Sequence, residues 1–78
     1  MGEKRLDAFG PVLRRLQHEK NLMQDKLSEM VGVASSYISM LESGHNYPNL
    51  AMLFKLADVL EIEAWEMVKA MRDSDQSL

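Results

Sequence analysis

Cysteine is absent from this chain of 78 residues, so neither disulfide bonds nor thiolate zinc sites can reinforce its fold. A single domain of this length has a hydrophobic core close to the lower limit for independent folding. We therefore expect closely packed helices, and association with a partner chain, to supply the missing stability.

Long apolar runs are also absent. The unbroken apolar stretches are far too short to span a bilayer, and no signal peptide is apparent. Hydrophobic residues make up 46% of the chain and charged residues 27%, a balance typical of a globular rather than a disordered protein. We expect a cytoplasmic domain that does not associate with membranes.

An excess of basic residues is missing. The formal net charge is −3, whereas nucleic-acid-binding domains are usually basic. Residues 1–40 hold six basic and five acidic side chains, and residues 41–78 hold three basic and seven acidic ones. Any surface that binds nucleic acid is therefore expected to come from the N-terminal half.

Catalytic groupings are missing as well. The two histidines, His18 and His45, are isolated, and His18-Glu19 lacks the second histidine that a zinc-protease helix requires one turn later. The sequence has neither a glycine-rich phosphate loop nor a cysteine nucleophile. We expect a protein that is not an enzyme and that uses no metal, cofactor or small-molecule ligand.

Helical periodicity is what the sequence does contain. Apolar residues recur at steps of three and four, without strand-like alternation. The steps predict helices over about residues 8–20, 24–31, 35–43, 50–60 and 64–72. Pro11 is acceptable because it falls in the first turn, where its missing N–H has no helical partner. The pattern predicts a single all-α domain over residues 1–78, with a core from about 8 to 72 and a flexible tail at 73–78.

One face of each of the first four predicted helices supplies the core, and Asn49 is a good N-cap for the fourth helix. The residues on these faces are Phe9, Val12, Leu13, Leu16 and Lys20, then Leu27, Met30 and Val31, then Ile38 and Leu41, and then Leu50, Leu53, Ala57 and Leu60.

Residues 24–44, QDKLSEMVGVASSYISMLESG, read as two short helices joined by a three-residue turn. Ser28 is small enough for the point where the helices cross, and Gly32 accepts the positive φ that the turn requires. Gly44 ends the second helix. Such a pair forms a helix-turn-helix, here at about residues 24–43, and can place its second helix in the DNA major groove.

A wider pattern extends over about residues 8–68. Its members are Phe9-Gly10, Leu13-Arg14, Gln24, Leu27, Gly32-Val33, Ser36-Tyr37-Ile38-Ser39, Glu42, Gly44, Pro48, Leu50, Leu56-Ala57 and Leu60. In these residues the chain resembles the Cro/cI-type (XRE-like) helix-turn-helix domains of phage and bacterial regulators. The resemblance implies a compact five-helix, lambda-repressor-like domain. It further implies a transcriptional regulator that binds a palindromic operator in double-stranded DNA as a homodimer, with the third helix in the major groove.

The resemblance also assigns DNA-contacting positions. The base-facing residues are Ser35, Ser36, Ser39 and Met40, and the phosphate-facing residues are Arg14, Gln24, Lys26, Tyr37, Ser43, His45 and Asn46. Serine hydroxyls both donate and accept, and Met40 can pack on a thymine methyl group. Ser35 is equally a candidate N-cap, and Gln24 is expected to brace the third helix as well as to meet a phosphate.

Two positions depart from the family pattern. Met23 replaces the usual Ser or Thr cap of the second helix, which weakens that cap by about 1 kcal/mol. Gln17 replaces a basic partner of Glu42, so we predict a neutral hydrogen bond between the two side chains. The loop after the third helix is also uncharged, so we expect few phosphate contacts.

The last helix carries more apolar surface than a small core needs. Ala64, Trp65, Met67, Val68 and Met71 span an arc of roughly 160° on a helical wheel. We predict a two-fold dimer interface made by Trp65, Met67, Val68 and Met71, although these side chains would equally serve to close the core. The dimer would hold two recognition helices about 34 Å apart, one turn of DNA.

Two alternatives stay open. The acidic C-terminal half also suits an antitoxin or another protein-interaction module that uses the same fold. Among DNA binders, the chain is similar both to controller proteins of restriction–modification systems and to small prophage repressors.

Overall fold

A computed structural model describes residues 6–76 and, within them, the side chains of residues 6–73. Leu6 and Asp7 are helical, and after them come α1 (Phe9–Glu19), α2 (Gln24–Val31), α3 (Ser35–Ser43), α4 (Leu50–Leu60) and α5 (Ala64–Gln76). No strand occurs between residues 6 and 76. The predicted all-α, five-helix architecture is confirmed. No helix in this segment is both long and apolar enough to cross a membrane.

The residue types at the helix ends explain where the helices begin and end. The Oδ1 atom of Asn49 accepts the Met52 N–H at 2.8 Å, which confirms the predicted cap of α4. Gly32 and Gly44 end α2 and α3 with φ of +90° and +84°, the left-handed conformation that glycine adopts without a steric penalty. Met23 precedes α2 and makes no side-chain cap, as predicted.

The turn of the helix-turn-helix closes on Ser28. Its carbonyl accepts the N–H groups of Gly32 and Val33 at 2.8 and 3.0 Å. Its side chain is 5% exposed, and Oγ donates to the Asp25 carbonyl at 2.7 Å. A larger side chain would not fit this position, because it faces the packed interior between the two helices.

All five helices contribute to one core. Its buried apolar residues are Phe9, Val12, Leu13, Leu16, Leu27, Ile38, Leu41, Leu56, Ala57, Leu60 and Met67. The partly buried Val31, Leu53 and Ile62 pack against it.

Three predicted core-facing positions are wrong. Lys20 lies beyond the end of α1 and is exposed. Met30 is 49% exposed, because the inner face of α2 is centred between Leu27 and Ser28 and Met30 points about 110° away at 100° per residue. Leu50 is 69% exposed, since it lies in the first turn of α4 at the edge of the buried face.

The last helix differs from its prediction in two respects. Met67 is completely buried in the core, so it cannot belong to a dimer interface as predicted; α5 needs this side chain to pack on the other helices. The helix also continues to Gln76, beyond the predicted end at Arg72, because no proline or glycine interrupts residues 73–76. The remainder of the predicted tail, residues 77 and 78, lies outside the described residues.

Candidate nucleic-acid interface

The inner face of α3 fixes its position. Ile38 and Leu41 are completely buried, and their spacing of three places both on the same face of the helix. Gly10 in α1 approaches the end of α3 so closely that a Cβ atom there would lie 2.2 Å from the Glu42 carbonyl oxygen. This contact was not predicted from the sequence, although Gly10 lies inside the first turn of a helix and belongs to the family pattern.

Glu42 joins three helices through its carboxylate. Gln17 of α1 donates from Nε2 to one carboxylate oxygen at 2.6 Å, and Gln24 of α2 donates from Nε2 to the other at 3.2 Å. Gln17 is 5% exposed, and the same nitrogen lies 3.4 Å from the Leu13 carbonyl. The predicted neutral hydrogen bond and the predicted bracing by Gln24 are both confirmed.

The outer face of α3 is open. Ser36, Ser39 and Met40 are exposed, and Ser35 is half-buried. The extended residue before the helix is Ala34 (φ −69°, ψ 148°), so Ser35 is already helical and its predicted role as N-cap is wrong. The structure thus places the four predicted base-facing residues on the first two turns of one helix. Contact with bases remains a prediction for each of them.

The loop after α3 is held by its own polar groups. The Oγ atom of Ser43 lies 2.7 Å from Nδ1 of His45 and donates to the Met40 carbonyl at 3.3 Å. Oδ1 of Asn46 accepts the Tyr47 N–H at 2.8 Å. These contacts leave Nε2 of His45 and Nδ2 of Asn46 without a hydrogen bond among residues 6–73, so both nitrogens are available to a ligand.

Positive charge is sparse on this surface. Arg14 is exposed and makes no ion pair within the described part of the chain, whereas Lys26 lies 3.6 Å from the Glu29 carboxylate. Arg14 and Gln24 line the same shallow groove between α1 and the start of α2. Tyr37 packs partly against the core. Of the predicted phosphate-facing set, the structure therefore brings Arg14 and Gln24 together.

The remaining predicted interface residues lie on α5. Trp65 is 62% and Val68 49% exposed, while Met71 is half-buried against the core. With Met67 excluded, an apolar strip of Trp65 and Val68 with the edge of Met71 is left on this helix.

Comparison with known proteins agrees with this arrangement. A helix-turn-helix family model matches residues 13–64. An uncharacterized HTH-type transcriptional regulator, y4dJ of Sinorhizobium fredii (strain NBRC 101917 / NGR234), is 34% identical over 59 residues, which span 76% of this chain and 77% of that protein.

Solved structures of other proteins superimpose on this fold. The restriction-modification controller protein C.AhdI from Aeromonas hydrophila is 37% identical, with a TM-score of 0.76 over 80% of this chain and 94% of that one. The clp gene regulator ClgR from Corynebacterium glutamicum superimposes with a TM-score of 0.87 over 92% of this chain and 77% of its own. Its 22% identity makes it a match of fold.

Proposed function

We propose that this chain, which belongs to the helix-turn-helix family of transcriptional regulators, binds a palindromic DNA operator as a homodimer. In this proposal α3 lies in the major groove. The observation that carries the proposal is that α3 has one buried face and one exposed face. Ile38 and Leu41 are completely buried, while Ser36, Ser39 and Met40 are exposed on the opposite side. A helix held in this way presents a fixed pattern of side chains to a groove of matching width.

The start of α2 supports a phosphate contact. Because Met23 provides no side-chain cap, the first N–H groups of α2 lack a side-chain acceptor there, and a helix N-terminus favours an anion. Arg14 and Gln24 face the same groove. The other proposed phosphate contacts are Lys26, Tyr37, Ser43, His45 and Asn46.

The direct test is binding to the DNA upstream of the chain's own gene. Fluorescence anisotropy with excess non-specific DNA should show saturable binding, and footprinting should show two half-sites with centres about 34 Å apart. Binding no tighter than to scrambled DNA of the same length would contradict the proposal.

Substitution of the base-facing residues should relax sequence preference. We expect Ser36→Ala or Met40→Ala to reduce discrimination at one base pair of each half-site by roughly 1–3 kcal/mol, because each variant removes one groove contact. The measurement is a binding series over single-base operator variants. Lys55→Ala, an exposed change on α4, is the matched control and should leave the preference unaltered. A uniform loss of affinity with unchanged preference would show that the two residues do not read bases.

Operator binding should depend only weakly on salt. Each chain offers two cationic residues in the proposed contact set, Arg14 and the partly compensated Lys26. A dimer that neutralises four phosphates should give a slope of roughly −4 in a plot of log affinity against log salt. A measured slope of about −8 or steeper would require contacts outside this set.

We propose the role of controller protein, rather than prophage repressor, on the basis of similarity to the restriction-modification controller from Aeromonas hydrophila. Restriction and modification genes beside its own gene would support this role, and phage structural genes there would contradict it.

A second candidate is a protein-interaction module such as an antitoxin. The net charge of −3 and the pairing of Lys26 with Glu29 favour it, since both weaken attraction to DNA. Specific binding to the upstream DNA by the purified chain alone separates the two, because an interaction module would need its partner protein.

A further inference from the structure

We infer that Phe54 of one copy of this chain enters an apolar pocket on a second copy, and that the second copy returns the same contact. The inference rests on the homodimer proposed above and extends it from α5 to α4. It identifies a protruding side chain and a receiving pocket that lie next to each other on the same surface.

The pocket lies where α4, α5, the loop after α3 and the N-terminal residues Leu6 and Phe9 meet. Its lining includes Tyr47, Pro48, Leu53, Val68 and Met71, and its volume is about 210 Å³. Pockets for small-molecule ligands usually enclose roughly 300–1,000 Å³. The smaller volume and the apolar lining suit a single large side chain better than a free ligand.

The protruding group is on α4. Phe54 is 54% exposed and Leu50, one turn earlier, is 69% exposed. Leu53, the residue before Phe54, lines the pocket, so the pocket begins one residue, about 100° around α4, from the exposed ring. Under a two-fold axis a surface must fit itself, so a projection beside a recess satisfies both copies at once.

The exposed apolar area is a substantial part of what a dimer requires. Leu50, Phe54, Trp65 and Val68 are each about half to two-thirds exposed, and α4 packs directly against α5. Aromatic side chains offer about 150–250 Å² each, so Phe54 and Trp65 present roughly 230 Å² per copy, to which the smaller Leu50 and Val68 add. A standard interface buries about 800 Å² per partner, of which a little over half is apolar, so the two aromatic side chains alone supply about half of that apolar area.

Disulfide trapping tests the contact directly. The chain has no cysteine, so every inter-chain disulfide must come from introduced residues. Phe54→Cys protein is mixed with Val68→Cys protein that carries a longer tag, and the mixture is oxidised mildly. We expect the mixed product to form faster than in the control below, because the proposed contact brings position 54 of one copy close to position 68 of the other.

The matched control replaces the neighbouring residue on α4. Lys55→Cys is exposed but lies on the side of α4 opposite the pocket residue Leu53, about 160° from it at 100° per residue, so its mixture with Val68→Cys should react slowly. Equal rates for the two mixtures would overturn the inference.

Phe54→Ala provides a second measurement, made by sedimentation without DNA. We expect the dissociation constant of the dimer to rise by roughly a hundredfold, since each dimer loses two central aromatic contacts. The circular dichroism spectrum should stay unchanged because Phe54 is outside the core. Self-association equal to that of the unaltered chain would overturn the inference, as would an unaltered chain that is monomeric at tens of micromolar.

These outcomes are separable from failure of the proposed function. A trapped dimer that does not bind operator DNA supports the contact between copies and contradicts the DNA-binding proposal. A Phe54→Ala protein that self-associates as strongly as the unaltered chain and still binds the operator contradicts the contact between copies. It supports the DNA-binding proposal.

Discussion

Gly10→Ala is expected to lower the free energy of unfolding by about 3 kcal/mol. The added Cβ atom would lie 2.2 Å from the Glu42 carbonyl oxygen and 2.8 Å from its carbon. Both atoms belong to the backbone, so no side-chain rotation can relieve the clash. One of the two helices must move, although Val12 and Leu13 on α1 and Leu41 on α3 are buried in the same core.

The sign of the effect makes this a strict test. A glycine-to-alanine change inside a helix ordinarily stabilises by roughly 0.5–1 kcal/mol. Urea unfolding followed by circular dichroism should instead show a large fall in the midpoint. Gly32→Ala is the matched control: nothing lies within 4 Å of its added Cβ, and its φ of +90° should cost only about 1–2 kcal/mol. A Gly10→Ala protein as stable as the unaltered chain would show that α1 and α3 are not in contact at this point.

The close approach at Gly10 also has a functional consequence. It sets the last turn of α3 against α1, and this brings the Glu42 carboxylate within reach of Gln17. A variant that separates the helices should therefore weaken the bracing of the recognition helix. Stability and DNA affinity are expected to fall together in Gly10→Ala.

Features that depend on local chemistry could be predicted from the sequence. Gly32 and Gly44 were placed correctly because a turn of this kind needs positive φ, and Asn49 because a free helix start needs an acceptor. The bond between Gln17 and Glu42 was predictable only through the family resemblance, since the two residues are 25 apart in sequence. The resemblance supplied the pairing, and the residue types then replaced an ion pair with a hydrogen bond from a neutral amide to the carboxylate.

Features that depend on how the helices pack could not be predicted. Met30 and Met67 are both apolar residues at helical spacing, yet one is half exposed and the other completely buried. The choice is made by the rotation of each helix against its neighbours, which periodicity leaves undetermined over eight to thirteen residues. Ser35 is not the cap of α3, because the helix begins at Ser35 itself and the residue before it is Ala34. A serine before a helical pattern predicts a helix start only to within a residue or two.

Glu42→Ala is expected to cost about 2–3 kcal/mol of stability and to lower operator affinity by at least about tenfold per half-site. The change leaves the Nε2 atom of Gln17, which is 5% exposed, with only the distant Leu13 carbonyl at 3.4 Å. It also releases Gln24, so the proposed phosphate contact at the start of α2 loses its orientation. Urea unfolding and fluorescence anisotropy on the same operator would measure the two effects separately.

Three further variants separate the expected loss of stability from the expected loss of operator affinity. Gln17→Ala should reduce mainly stability, because Gln17 is only 5% exposed, and Gln24→Ala should reduce mainly affinity, because its amide is only partly buried. Glu42→Gln should lie between Glu42→Ala and the unaltered chain, since one amide oxygen replaces the two acceptors that the donors of Gln17 and Gln24 require. If Gln24→Ala bound the operator normally while Gln17→Ala did not, the hydrogen bonds to Glu42 would affect DNA binding through residues other than Gln24. The role proposed for Gln24 would then be wrong.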